Sequence, residues 1–84
     1  MEKPTVYTGH ARTALGERDL EIEWVEATVR SPQWIEVDPN DPEVVRHFRP
    51  IPEHGGRYLR VALVETSVDF RILTVFFDRR ARPK

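Results

Sequence analysis

Two strand-like segments near the end of the chain, separated by a short polar turn, constrain the fold most strongly. In residues 57–66 apolar side chains alternate with a mixed set, and residues 70–77 are largely apolar. Alternation with a period of two residues is typical of a half-buried strand. The intervening residues 66–69 read Thr-Ser-Val-Asp, a tight turn, so the two segments predict a β-hairpin. The chain must therefore fold around an antiparallel sheet.

Two shorter strands precede this hairpin. Residues 34–38 lie between Pro32 and the turn cluster Pro-Asn-Asp-Pro at 39–42, and residues 43–49 follow it. A Pro- and Gly-rich loop at 50–56 then leads into the hairpin. Because the connections are short, the four strands are expected to follow one another in a mainly antiparallel order.

The first third of the chain has helical spacing instead. Residues 10–18 repeat apolar side chains at helical intervals, and Thr8 is a plausible N-cap for that helix. In residues 21–30 an apolar stripe recurs at positions i, i+3 and i+7. Pro32 ends this second helix, because the residue before a proline avoids the helical region.

These elements predict an α+β fold in which two N-terminal helices pack on one face of a four-stranded, mainly antiparallel sheet. Two helices cannot cover both faces of four strands, so the other face is expected to be partly solvated and to carry the function. The chain is expected to be a single domain over residues 1–84. We expect an ordered core at about 8–78 and a basic C-terminal tail at 78–84.

Composition excludes several kinds of site. The chain has no cysteine, and its three histidines lack the spacing of known zinc motifs. No metal site and no cofactor is therefore expected. No apolar stretch is long enough for a membrane span, and the start of the chain has no signal-peptide pattern. We accordingly expect a cytoplasmic location and no membrane partner.

The formal net charge of −1 hides a strong asymmetry. Residues 17–43 contain nine acids and two bases, a net charge of −7, whereas residues 44–84 contain nine bases and four acids, a net charge of +5. Such a split is typical of nucleic-acid contact or of a charged partner. Acids and bases that pair across the fold would give the same pattern, so both interpretations remain open.

Several short motifs resemble a family of small, mostly bacterial domains of unknown function, over about residues 8–78. They are His10-Ala11-Arg12, Glu17-Arg18, the segment 24–32, and the strand sequences 56–61 and 72–76. Two positions depart from the family pattern, since Ala14 stands where the family often has Arg and Asp19 where it often has Gly.

That family is similar to the BrnT and RelE-like toxins of toxin–antitoxin pairs. The resemblance implies a RelE-like fold, metal-independent endoribonuclease activity on an mRNA substrate, and a small antitoxin protein as partner. RelE-like enzymes place a proton acceptor, a phosphate-binding cation and a proton donor on one sheet face. Here the candidate catalytic residues are His47 as acid or base, Arg49 and Arg60 as phosphate ligands, Tyr58 as a stacking or proton-donating group, and His10 on the first helix. The candidate RNA-binding residues are Arg71, Arg79, Arg80 and Arg82.

Two other interpretations fit the same residues. Arginines and aromatic residues that alternate along strands also occur on any solvated antiparallel face. The domain would then be a non-catalytic protein- or RNA-binding module of the same fold. A third hypothesis is a homodimer formed through a strand edge, for which the apolar segment 70–77 is the candidate.

Overall fold

A computed structural model describes residues 3–83 of the chain. The elements, in chain order, are β1 (Thr5–Tyr7), α1 (Gly9–Glu17), α2 (Ile22–Arg30), β2 (Trp34–Val37), β3 (Val45–Ile51), β4 (Arg57–Glu65) and β5 (Phe70–Phe77), with a 3₁₀ turn over Pro52–His54. Met1, Glu2 and Lys84, the last residue of the predicted tail, lie outside the described residues. Both predicted helices and all four predicted strands are present.

The sheet has five strands in the order β1-β5-β4-β3-β2. The expected four-stranded, mainly antiparallel sheet is wrong in strand number, because β1 pairs in parallel with β5 and makes the sheet mixed. The strand β1 was missed for two reasons. Its three residues are too few to display an alternation, and its partner β5 lies at the other end of the chain, so no local pattern reports the pairing.

Both ends of α1 carry identifiable signals. The Thr8 side chain accepts a hydrogen bond from the Ala11 amide at 3.2 Å, which confirms the predicted N-cap. After the helix, Asp19 has a φ of 53°, in the left-handed region, and the Leu20 amide donates to the Leu15 carbonyl at 3.1 Å. This is the helix-ending arrangement that usually employs glycine.

The two helices pack on the same side of the sheet, which we call the helix face. On this face α1 contacts β5 and β1, while α2 contacts β4 and β3. The fully or almost fully buried members of this core are Ala11, Val25, Val29, Ile51, Leu59, Val61, Leu63, Ile72 and Val75. The main helix contacts are with these four strands, and Ile35 and Val37 of β2 are more than half exposed, so the sheet extends one strand beyond its main helical cover.

A half-buried carboxylate connects β1 to α2. Glu26 of α2 accepts hydrogen bonds from the hydroxyl groups of Thr5 and Tyr7, each at 2.6 Å, and from Arg30 Nε at 3.2 Å. These polar contacts anchor the short strand β1, which buries little apolar surface of its own, to the helical layer.

The other side of the sheet, which we call the open face, carries a small aromatic group. The Trp34 ring stacks on Phe48 with centroids 4.6 Å apart, and Tyr58 meets Trp34 edge-on at 5.2 Å. Segment 78–83 then turns back towards this face, because the Asp78 amide donates to the Tyr58 carbonyl at 2.9 Å and Ala81 is only 7% exposed. The described part of the predicted basic tail is therefore packed on the sheet.

Candidate functional site

His47 belongs to the helix face. The register pairs His47 with Val61 of the core, and the imidazole is 5% exposed. Its Nδ1 lies 3.1 Å from the Val29 carbonyl oxygen, and because a carbonyl only accepts, Nδ1 carries the proton. Burial lowers the pKa of His47 despite this hydrogen bond. His47 is thus a neutral side chain that holds the end of α2 to β3, without access to a macromolecular substrate.

Arg49 lies on the same face, as its spacing of two from His47 predicts. Its Nη1 donates to the Ser31 carbonyl at 2.7 Å, immediately after the last residue of α2. Guanidinium groups at this position satisfy the carbonyls that a helix leaves unpaired at its C-terminus. The side chain of Arg49 is therefore hydrogen-bonded to the end of α2.

Tyr58 and Arg60 lie together on the open face, again as their spacing predicts. Arg60 Nη1 donates to Asp78 Oδ2 at 3.1 Å, and its guanidinium lies 4.5 Å from the centre of the Phe76 ring. The sheet itself separates this pair from His47 and Arg49. The four predicted catalytic residues are consequently not brought together. The register pairs His47 and Arg49 with core residues of β4, which point to the face opposite Tyr58 and Arg60.

Two more predicted residues are also separate from this pair. His10 lies away from the open face, and Arg71 lies at its far end. His10 is exposed on α1, which covers the helix face. Arg71 is near the start of β5 and forms an ion pair with Asp69 at 3.5 Å, whereas residues 79–82 follow the other end of that strand. At about 3.4 Å per strand residue, this places Arg71 roughly 20 Å or more from Arg79.

Of the remaining predicted RNA-binding residues, Arg79 and Arg82 line a surface depression at the start of β4 and the end of β5. This depression, which we call the basic hollow, has a volume of about 480 Å³. It is lined by Arg57, Tyr58, Phe77, Asp78, Arg79, Ala81 and Arg82. Three of its residues are exposed arginines, and its single acid, Asp78, is paired with Arg60. The basic hollow therefore presents uncompensated positive charge beside an aromatic ring.

Arg57 and Phe77 were missing from the sequence-based set, although the hairpin contains the signal for them. Leu59 pairs with Phe77, so the first residue of β4 lies beside the residues that follow β5. If the strand register is counted outward from the turn at 66–69 and the irregularity between Ala62 and Leu63 is included, Arg57 lies opposite Arg79. That β-bulge shifts the register by one residue and has no visible signature in the sequence.

His54 lies beside the basic hollow. Its ring stacks on Phe77 with centroids 4.3 Å apart and planes inclined by 16°, and Trp24 packs at 5.7 Å from it. A second, shallower depression is lined by His54, Gly55 and Arg57. His54 is exposed. Of the three histidines, it is the one that adjoins an arginine of the basic hollow, Arg57.

A further depression on the open face has four arginines and two acids in its lining, namely Arg46, Arg60, Arg80, Arg82, Glu36 and Asp78. Arg46 and Arg60 are each paired with an acid, Asp38 at 3.2 Å and Asp78 at 3.1 Å respectively. The Nε groups of both arginines are buried and have no hydrogen-bond partner among residues 3–83. Each of these two guanidinium groups thus uses a terminal nitrogen for its ion pair, whereas the predicted RNA-binding residue Arg80 is exposed at the rim of this depression.

Within the described part of the chain, no group of three or more His, Asp or Glu residues lies close enough together to hold a metal ion. None of the helices over residues 3–83 has the length and apolar character needed to span a bilayer.

One family model matches the chain. It is described as a domain of unknown function, DUF4258, and the match spans residues 7–77. No curated protein and no solved structure matches the chain.

Proposed function

We propose that this chain, which belongs to the DUF4258 family of domains of unknown function, binds single-stranded RNA through the basic hollow without cleaving it. The observation that supports this proposal is the convergence of Arg57, Arg79 and Arg82 on one depression beside Tyr58. Arginine binds phosphate oxygens with two parallel hydrogen bonds, and the half-buried ring of Tyr58, which lines the depression, offers a stacking surface for a base. The burial of the predicted catalytic residue His47 on the helix face supports binding rather than cleavage by that residue.

The size and position of the basic hollow favour a flexible strand over a duplex. A volume of about 480 Å³ lies within the range of small-ligand pockets and accommodates a single splayed nucleotide. Bases must be unstacked to reach a side-chain ring of this kind, which single strands allow and A-form helices do not. The adjoining depression shares Arg82 with the basic hollow and adds exposed Arg80, so positive charge continues along segment 79–82.

The proposal is tested by fluorescence anisotropy with a labelled single-stranded RNA over a series of salt concentrations. Three arginine–phosphate contacts predict that the logarithm of the binding constant falls with the logarithm of salt with a slope of about −2. Each of Arg57→Gln, Arg79→Gln and Arg82→Gln should weaken binding and reduce that slope by about 0.7. Arg12→Gln is the matched control, because Arg12 is an exposed arginine on α1. Equal loss in all four variants, or no salt dependence, would contradict the proposal.

A second candidate retains the relation to BrnT and RelE-like toxins that the sequence motifs imply, namely metal-independent cleavage of mRNA. The observation that favours it is the exposed imidazole of His54 beside Arg57 and the ring of Phe77. In this reaction His54 would take the proton of the ribose 2′-OH. The 2′ oxygen then forms a bond to phosphorus, and the bond to the 5′ oxygen breaks as that oxygen gains a proton.

Product analysis separates the two candidates. Cleavage by this route leaves a 2′,3′-cyclic phosphate on one fragment and a free 5′-OH on the other. Expression of the wild-type domain should then arrest growth, and His54→Ala should abolish both effects while His10→Ala retains them. Intact RNA together with salt-dependent binding would support the binding module and reject the nuclease.

A further inference from the structure

The strand β2 forms one edge of the sheet, and its outward-facing backbone groups can be identified. The Asp38 amide donates to the Val44 carbonyl at 2.9 Å, which makes 38 and 44 a hydrogen-bonded pair. Hydrogen-bonded and non-hydrogen-bonded pairs alternate in an antiparallel ladder. The amide and carbonyl groups of Ile35 and Val37 therefore point away from β3, towards the edge.

The side chains of the same two residues are also unusually exposed. Ile35 pairs with His47 and Val37 with Val45, which places both side chains on the helix face. The helices make their main contacts with the other four strands, and Ile35 and Val37 are 52% and 61% exposed. An edge that offers both unpaired backbone groups and apolar side chains is a template for another strand.

Charge is distributed along the strands in a way that specifies the orientation of that partner. At the end of β2 and the start of β3 lie exposed Asp41 and Glu43, whereas the opposite end of the sheet carries Arg49 and the arginines of the basic hollow. A second copy related by a two-fold axis runs antiparallel, so that the acidic end of each copy lies towards the basic end of the other. A parallel partner strand of the same chain would instead bring like charges together.

We propose that β2 pairs with β2 of a second copy of this chain, antiparallel and centred on Glu36, to form a weak homodimer with a continuous ten-stranded sheet. In this register Ile35 of one copy lies opposite Val37 of the other, and both outward-facing residues of each strand form hydrogen bonds. The four apolar side chains then cover one another. The four-residue length of β2 limits the interface to a small area, so association is weak. The basic hollow is at the other side of the open face and stays accessible.

Sedimentation equilibrium from about 10 μM to 1 mM tests this proposal, because weak dimers dissociate in that range. The mass should rise from 9.9 kDa towards twice that value. Val37→Lys should weaken association at least tenfold, whereas Val68→Lys should leave it unchanged. Val68 is the matched control, since it is also an exposed valine but lies in the turn between β4 and β5. Circular dichroism verifies that both variants are folded.

Two further measurements examine the register. Glu36→Gln should tighten the dimer, because the proposed centre places the two Glu36 carboxylates opposite each other and like charges there are unfavourable. Amide exchange at Ile35 and Val37 should slow with increasing protein concentration, while exchange in β1 should not. A monomer throughout the concentration range would overturn the proposal, and so would a dimer that is protected at β1 and insensitive to Val37→Lys.

Discussion

Replacement of His47 by alanine separates a structural role from a catalytic one. The imidazole is 5% exposed and its Nδ1 is bonded to the Val29 carbonyl at 3.1 Å. Loss of that donor leaves a buried carbonyl unpaired, which costs about 1–3 kcal/mol. The vacated volume adds a cavity cost, and large-to-small changes in cores cost about 2–5 kcal/mol in all. We therefore expect His47→Ala to lower the free energy of unfolding by about 2–4 kcal/mol.

Thermal and urea unfolding, followed by circular dichroism at pH 7, measure this change. For a domain of this length, 1 kcal/mol corresponds to about 4–8 °C in Tm, so the variant should melt about 10–25 °C lower. His10→Ala is the matched control, because His10 is exposed, and it should change stability by less than about 0.5 kcal/mol. RNA binding by His47→Ala, measured well below its Tm, should equal that of the wild type.

The pH dependence gives an independent check. The pKa of His47 is lowered by burial, so below about pH 6.5 the unfolded chain binds this proton more readily than the folded one. Wild-type stability should fall as the pH drops through this region, and the variant lacks that contribution. The difference in unfolding free energy between the two proteins should shrink from pH 7 to pH 5. A variant that keeps wild-type stability but loses action on RNA would refute the structural assignment.

Three further substitutions test the hydrogen bonds of Glu26 and the two ends of α1. Burial raises the pKa of Glu26, but the hydroxyl groups of Thr5 and Tyr7 and the charge of Arg30 outweigh it, so the pKa lies below its ordinary value. Glu26→Ala should therefore cost about 2 kcal/mol at pH 7 in urea unfolding, after allowance for partial exposure, and this cost should disappear as the pH falls below about 4.5. Asp19→Gly should raise the free energy of unfolding by about 0.5–1 kcal/mol, because glycine adopts the left-handed φ without strain, and an unchanged or lower Tm would contradict this. Thr8→Ala should cost about 1 kcal/mol in the same assay through loss of the N-cap, and Thr8→Ser should restore it.

The local elements of this fold were predictable, whereas the contacts that combine them were only partly so. Helical spacing in residues 21–30 and alternation in 57–66 gave the correct element types, since each pattern reports burial on one side of its own element. The strand β1 lacked such a pattern because a parallel partner at the far end of the chain determines it. Mixed topologies of this kind depend on long-range pairing.

For the candidate site, too, the arrangement within each strand was predictable, whereas the arrangement between strands was not. The spacing of two correctly placed Tyr58 with Arg60 and His47 with Arg49, but the relation between β3 and β4 decides which pair faces the helices. Both strands alternate, so a shift of one residue between β3 and β4 would put the two pairs on the same face. Arg57 entered the basic hollow through a hairpin register that a β-bulge alters, and spacing alone does not report that irregularity.

The parallel pairing of β1 with β5 has a consequence for synthesis. Both α1 and β1 depend on β5 for their sheet contacts, and β5 is the last strand to be translated. A nascent chain that has exposed only the helices and the first strands from the ribosome lacks the surface on which they pack. We expect this domain to complete its fold only after β5 has left the ribosome, with β1 and α1 docking last. Until then its helices have only the marginal stability of isolated helices.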